Sequence, residues 1–450
     1  MSDFESVVAA VADRVTPDEA ERERLQAAAD ALTDRVRDAV DDLPVDARIV
    51  QVGSTARGTW LADDRDIDLF VCFPPDLDRT DLERYGLEVG RAALPDGREE
   101  YAEHPYVTGE FRGFDVDLVP CYDVADATAI KSSVDRTPFH NAYLQERLDS
   151  DLARDVRLFK AFLSGIGAYG SDLRTRGFSG YLSELLVLEY GGFEELVRAA
   201  ADWRPPVRLD PEDHGTATFD DPLVVIDPTD PERNVAAVCS AENVARFQHY
   251  ARELLTDPRE SLFVATDPDP IDTDAVRTHI DRRGTTPVAV VFETPDLVDD
   301  QLYPQLRKSL NGVAGELDRR GFAPLRSATF ADDRAVLFVE LAVGDLPSIR
   351  RHRGPPAHVR EHATGFYEAY ADADDVYGPF LDGDRYVVER DREFTTPRQL
   401  LGSAALFDVA LGAHVEEALE DGYDLLIGDD VADLADAFGV PLARYFAPTP

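Results

Sequence analysis

Near the N-terminus, Leu25, Ala28, Leu32, Val36, Ala39 and Leu43 fall three or four residues apart until Pro44, which predicts one long amphipathic helix. Thr16-Pro17-Asp18-Glu19 reads as its capping box, with proline at the first helical position. The pattern then changes. "ARIVQVGS", "DIDLFVCF" and "FDVDLVPCYDV" are short runs rich in β-branched and aromatic residues, and they predict three strands with a helix over 78–94 between the second and third. From about 142 to 262 helical spacing returns in "DVRLFKAFLSGIG" and "SGYLSELLVLEYGGFEELVRAA", broken by Gly-rich and Asp-Pro-rich connections. After "TDPDPIDTD" (266–274), the best linker in the chain, come "PVAVVFET", a helix around 300–320, "SATFADD" and "RAVLFVELAV". These predict a βαββ unit, half of a ferredoxin-like fold. Residues 348–400 show little apolar periodicity and gather His, Arg and Tyr in "RRHRGPP", "GFYEAY" and "DRYVVERDREFTTP", before helices resume near 403–420 and 429–438.

The patterns describe an α+β multidomain protein in three parts: a mixed first domain over 1–142, a helical middle domain over 143–262, and a body and tail over 263–450. A length of 450 residues and a hydrophobic fraction of 44% suit two to four domains with their own cores. The three cysteines, Cys72, Cys121 and Cys239, sit apart beside apolar residues, as reduced core thiols of a cytoplasmic protein would. No zinc spacing, signal peptide or run of about 20 apolar residues occurs, so neither export nor membrane spanning is supported.

Charge changes the picture of the environment more than of the partner. The 89 acidic residues against 46 basic ones give a formal net charge of −43, which repels itself in dilute buffer but is screened at ~1 M salt, where the Debye length is about 3 Å. The economical reading is a halophilic cytoplasm, in which acidity no longer excludes a nucleic-acid partner. Lysine has almost vanished, leaving Lys131, Lys160 and Lys308.

Within the second strand, Asp66 and Asp68 point to one face while Ile67 and Leu69 point to the other. Two carboxylates cannot both be charged and dry without a cation between them, and Mg²⁺ is the hard cation that takes oxygen ligands while leaving positions for substrate phosphates. D-x-D alone is weak here, because Asp64/Asp66, Asp267/Asp269, Asp372/Asp374 and Asp382/Asp384 match as well. Only 66/68 and 115/117 lie in apolar strand-like runs. A Gly53-Ser54 turn offering N–H groups and a hydroxyl to phosphate, a paired-carboxylate strand, and a third carboxylate at Asp117 make up a two-metal site for in-line displacement at phosphorus.

That order resembles the nucleotidyltransferase superfamily of DNA polymerase β, poly(A) polymerases and CCA-adding enzymes. "GSTARGTWL…DIDLFVCFP", "HPYVTGEFRGFDVDLVPCYDV", "KSSVDRTPFHNAYL", "VRLFKAFLSGIGAYGSDLRTRGFSGYLSELL" and "DPTDPERNVAAVCS" are similar to successive signatures of the archaeal-type (class I) CCA-adding tRNA nucleotidyltransferases, through most of 45–250 and more loosely to the C-terminus. The resemblance implies a polymerase β-like head and template-independent addition and repair of the 3′-terminal CCA of tRNA from CTP and ATP, with two Mg²⁺ ions and release of pyrophosphate. It implies that Asp66 and Asp68 hold both metals and Asp117 the one that activates the primer hydroxyl; the family allows Glu in the first of these positions, where Asp66 is equally competent. It further implies that Ser54, Arg57, Lys160 and Tyr169 contact the triphosphate, that Thr137 and His140 lie near the sugar and phosphates, and that Arg233, followed by Asn234, helps read the base. From the residues alone, Lys160 stands at the edge of a helix stripe formed by Val156, Phe159, Leu163 and Ile166, where it can reach an anion.

At molar salt, counterion release contributes little to RNA binding, so recognition of the tRNA acceptor end should rest on shape and 2′-hydroxyls. Arg351, His352, Arg353, Arg385 and Arg392 are the candidate backbone contacts, the other reading being a surface balanced by Arg–carboxylate pairs. Oligomeric state is not fixed by the sequence; a homodimer is carried forward. The competing functions are another polymerase β-like transferase, such as a poly(A) polymerase or an oligoadenylate synthase, and a non-catalytic RNA-binding module.

Overall fold

The computed structural model describes residues 3–62, 64, 66–101 and 103–450. The chain forms two compact units, one up to Thr266 and one from Asp267 to Thr449.

The first unit opens with helix α1 (Asp3–Val15) and α2 (Glu19–Asp41). The cap of α2 is Asp18, whose carboxylate accepts the N–H of Glu21 at 2.7 Å, while the N–H of Thr16 donates to Ala12 O at the end of α1. The box read at Thr16–Glu19 is therefore corrected: Pro17 precedes the cap, and the helix starts two residues later than the sequence pattern predicts. Then follow β1 (Arg48–Val52), α3 (Gly53–Arg57), β2 (Asp66–Phe73), α4 (Arg79–Ala93), β3 (Arg98–Tyr101), β4 (Pro105–Phe111) and β5 (Phe114–Tyr122). They build a sheet of order β1-β2-β5-β4-β3, in which β2 and β5 run parallel and the other neighbours antiparallel. Arg112 and Gly113 both take positive φ, 55° and 83°, and so make the tight turn between β4 and β5. Ile67, Leu69, Val71 and Phe73 pack with Leu118 and with Leu32, Leu82 and Val89 from the covering helices. On the opposite face Val52, Phe70, Cys72 and Cys121 form a small cluster, in which the two thiols lie 3.2 Å apart and unbridged.

The rest of this unit is mainly helical: α5 (Thr137–Gln145), α6 (Ser150–Gly165), α7 (Gly180–Tyr190), α8 (Phe193–Ala201) and α9 (Ala241–Thr256), with a small sheet of β6 (Val207–Leu209), β7 (Leu223–Asp227) and β8 (Asp230–Asn234) before α9. Its core is aromatic: Phe159, Phe162 and Phe178 surround Phe247, and Phe193 packs against Phe162. Helix α1 contributes Phe4, Val11 and Ala12 to this core.

The second unit runs α10 (Thr273–Arg283), β9 (Thr286–Glu293), α11 (Asp299–Arg320), β10 (Pro324–Ala331), β11 (Arg334–Leu341), β12 (Ile349–Pro356), α12 (Arg360–Tyr370), β13 (Val376–Asp382), β14 (Arg385–Asp391), α13 (Pro397–Leu401), α14 (Ala413–Asp421), β15 (Tyr423–Ile427) and α15 (Ala435–Phe446). Strands β10-β11-β9-β15 form an antiparallel sheet. The predicted βαββ unit thus gains its fourth strand from β15, beyond a long insertion, and the strand order is that of a ferredoxin-like sheet. The insertion is not irregular: β12-β14-β13 form a separate sheet with α12 against it. Among the described residues, no helix is long and apolar enough to cross a membrane.

Candidate active site

Two strands bring the acids together. Parallel β2 and β5 are paired so that Asp66 stands beside Asp115 and Asp68 beside Asp117, at the roughly 4.8 Å spacing of neighbouring strands. Along that face of β2, Phe70 and Cys72 are buried in apolar contacts, and only the first turn of the strand carries acid. Burial, with Asp64 and Asp115 nearby, pushes Asp66 up to about 6. Burial and the charges of Asp117 and Asp66 push Asp68 up to about 7, with Arg57 giving partial relief. The donors are all carboxylate oxygens and their negative charge is not balanced, which is the chemistry a hard divalent cation satisfies. Among the described residues, no three His, Cys, Asp or Glu side chains form a ready-made metal cage.

The turn after β1 is shaped for Asp68. Gly53 has φ of 79°, and a Cβ on it would overlap Asp68 Oδ2. Glycine is therefore required twice, by the backbone conformation and by the close approach. The segment read as a Gly-Ser turn is a five-residue helix, α3, which ends at the left-handed Gly58 and leaves Ser54 half-buried.

Arg57, at the end of α3, does not point freely to solvent. Its Nε and Nη2 donate to Glu184 Oε2 at 3.1 and 2.8 Å, and its Nη1 donates to Asn141 Oδ1 at 2.7 Å. Glu184, on α7, has no solvent exposure and also accepts from the Thr59 hydroxyl. Lys160 Nζ lies 3.5 Å from Glu184 Oε1 and donates to Thr59 O at 3.2 Å. Lys160 is thus enclosed in the core of α6, not at the edge of its apolar stripe. Burial alone would push the Glu184 carboxyl up, but Lys160 and Arg57 hold it below its ordinary value. A Cβ on Gly180 would lie 3.3 Å from the Tyr169 hydroxyl and 3.8 Å from Lys160 Nζ, so these two predicted ligands flank the start of α7. Glu184, which ties Arg57 to Lys160, is a residue the sequence reading missed; "ELLVL" places that acid directly before an apolar run, which was the available signal.

A second carboxylate joins two more predicted residues. Asp227 Oδ2 lies 2.8 Å from His140 Nε2 and accepts from Arg233 Nη1 at 2.7 Å, while Oδ1 accepts the N–H and hydroxyl of Thr229. Against the cost of burial, these partners hold Asp227 well below the usual carboxylate range. His140 stacks on Tyr181 with ring centres 3.9 Å apart. Asn234 is occupied structurally, bonding Val225, Ala236, Asp221 and Leu223, so of the Arg233-Asn234 pair only Arg233 faces the cluster. Thr137 is the first residue of α5 and half-buried.

The candidate RNA contacts separate into different kinds. Arg392 donates to Ile349 O and Arg320 O, and Arg385 to Gly354 O; both brace the backbone of the inserted sheet. Arg351 pairs with Asp382 at 2.7 Å, and His352 lies against Phe366. Arg353 is exposed on β12.

Comparison with known proteins follows these divisions. Residues 33–140 match the model of the nucleotidyltransferase domain, 154–264 that of the tRNA nucleotidyltransferase second domain, and 283–428 that of the CCA-adding enzyme C-terminal domain. The CCA-adding enzyme of Haloarcula marismortui is 62% identical over 466 residues, covering 100% of both chains. That of Halobacterium salinarum is 60% identical over 451 residues, again covering 100% of both. That of Methanosarcina mazei is 40% identical over 437 residues, covering 96% of each.

Proposed function

The chain belongs to the CCA-adding enzymes, and from that premise we propose how its own residues carry the reaction. It is a halophilic tRNA nucleotidyltransferase that adds and repairs the 3′-terminal CCA of tRNA from CTP and ATP. In each step the 3′-hydroxyl oxygen attacks the α-phosphorus, the bond to the leaving pyrophosphate breaks, and the hydroxyl proton is lost.

Asp66, Asp68 and Asp117 are the residues we assign to two divalent ions, Mg²⁺ being the fitting one. Bound there, such ions lower the pKa of the attacking hydroxyl and stabilise charge on the departing pyrophosphate. The in-register pair Asp68/Asp117, with no salt bridge among the described residues to the Arg57–Glu184–Lys160 cluster, is the observation that carries this reading. Ser54, Arg57, Lys160 and Tyr169 receive the triphosphate; Glu184 fixes the direction of the Arg57 fork and the position of the Lys160 ammonium. His140 and Thr137 sit toward the sugar and phosphates. Arg233, steadied by Asp227, presents donors to acceptors of either cytosine or adenine. Arg351, His352 and Arg353 are assigned to the tRNA backbone; Arg385 and Arg392 serve it indirectly, by shaping the sheet. The domain division we adopt is 1–142, 143–262 and 263–450, the location cytoplasmic, as its three free thiols support, and the assembly a homodimer, to be read by light scattering.

The test is incubation of the protein in about 2 M KCl with Mg²⁺ and a tRNA lacking its last three nucleotides, with CTP, ATP or both, followed by sequencing of the products. C-C from CTP alone and termination at C-C-A with both are expected. Long A tails would make it a poly(A) polymerase, and binding without extension a non-catalytic module.

A further inference from the structure

A cavity of about 290 Å³ opens beside the Gly58 turn and the start of α6, and Arg22, Arg57 and Arg157 all line it. None of Ser54, Asp66, Asp68 or Asp117 does, so it is distinct from the carboxylate site. The Arg57 guanidinium is taken up by Glu184 and Asn141, but in a chain with 89 acids and 46 bases the other two arginines around one hollow need explaining. Among the described residues, the single carboxylate in the lining is Asp149, engaged as the cap of the sixteen-residue α6, where its Oδ1 accepts the N–H groups of Asp151 and Leu152 at 3.0 and 2.9 Å.

Arg157 is the informative residue. It is only 8% exposed, and its Nη1 donates to Gly58 O, yet its Nε is buried with no partner among the described residues. Among the described residues, the charges that act on it are those of Arg22 and Arg154, both repulsive. A buried cation that faces other cations and keeps an unmet donor is costly unless an anion joins it. The exposed Arg22 can close on such an anion from the solvent side, and the N-terminus of α6 favours negative charge at the same place.

We propose that this cavity is an anion site that takes one phosphate group, supplied either as free phosphate or as a phosphodiester of bound RNA. The phosphate oxygens accept from the Arg22 guanidinium and, once the Arg157 guanidinium turns toward the cavity, from Arg157 Nε, whose buried donor is otherwise unmet.

Calorimetric titration of the full chain with inorganic phosphate, without divalent ions, tests the site directly. Arg22→Gln is exposed and tests it without disturbing the core; Arg157→Gln tests the buried partner. Each is expected to weaken phosphate binding roughly tenfold, the worth of one charge-assisted hydrogen bond, whereas Arg282→Gln, at an exposed position of α10 in the second unit, leaves it unchanged. The second arm is filter binding of tRNA lacking CCA at several salt concentrations. If RNA supplies the phosphate, Arg22→Gln also weakens tRNA binding and lowers the slope of log K against log salt by about 1; if free phosphate is the ligand, only the calorimetric arm moves. Unchanged binding of both ligands by folded Arg22→Gln overturns the proposal, as does an equal loss of phosphate binding in Arg282→Gln. Neither arm requires nucleotidyl transfer, so failure here is separate from failure of the enzymatic reading.

Discussion

Two acidic sites in the first unit have opposite electrostatics. Glu184 is fully buried, bonded to Arg57 and Thr59, and close to Lys160; its carboxyl is held low because the protein supplies its cations. Asp68 stands beside Asp117 and Asp66 and is pushed up to about 7 because the protein supplies too few. The first site is a finished ion cluster that fixes geometry. The second is incomplete by construction, and its deficit of positive charge is what a metal ion and a nucleotide together bring. Burial of an acid alone therefore does not mark a catalytic residue; burial without an internal counter-charge does.

The strongest way to break this comparison is to remove the acids in turn. Asp68→Ala or Asp66→Ala should lower incorporation of both C and A by about a thousandfold or more, with circular dichroism showing the fold intact. Loss of an uncompensated charge has no reason to unfold the chain. Glu184→Ala should instead unfold it more easily, by roughly 3–5 kcal/mol, since Arg57 and Lys160 are left buried without their acid; denaturant titration reads this. Equal loss of stability in both kinds of variant would end the distinction.

A smaller effect is expected at Gly53. Gly53→Ala should cost about 1–2 kcal/mol for the left-handed backbone and, by displacing the Asp68 carboxylate, lower the rate of extension more than tRNA affinity. Single-turnover assays and filter binding separate the two.

The pH dependence of the metal-free protein sharpens the contrast. The folded-state pKa of Asp68, about 7, lies above the unfolded value of about 3.9, so the folded protein binds more protons between them. Its contribution to stability is present below about pH 4 and is lost as pH rises through about 7. Glu184 has the opposite sign: its stabilisation is present above the ordinary carboxylate pKa and is lost as pH falls. In a chelator, the difference in melting temperature between wild type and Asp68→Asn should therefore fall from pH 4 to pH 7, and a divalent ion should abolish that fall. The smallest effect is expected of Asp227→Asn, which loosens His140 and Arg233; it should raise misincorporation among CTP, ATP and UTP several-fold with tRNA binding unchanged.

The sheet that carries the acids was legible because the runs at 48–52, 66–73 and 114–122 concentrate β-branched and aromatic residues. Strands β3 and β4 were not, since "REEY" is short, charged and mostly exposed and "PYVTGEF" carries Pro, Gly and Glu. The sheet of β6 to β8 was hidden in a stretch read as helical, because its buried strand "LVVID" is short and its partner "DPERN" is polar. The inserted sheet around Arg351 escaped notice for a related reason: exposed β13 presents Tyr377 and Leu381 to solvent, and so lacks the alternation that marks a half-buried strand. Ion clusters were the least legible feature. Glu184 lies 127 residues from Arg57, and nothing local announces which distant cation an isolated acid will meet.

Manganese binding followed by electron paramagnetic resonance, in about 2 M KCl at pH 8, is the most direct measurement of the incomplete site. Two Mn²⁺ per chain in the presence of CTP, with both lost in Asp68→Asn and retained in Glu184→Gln, is the predicted result. Undiminished binding by Asp68→Asn would contradict it, and would mean that the paired carboxylates of β2 do not hold the metal.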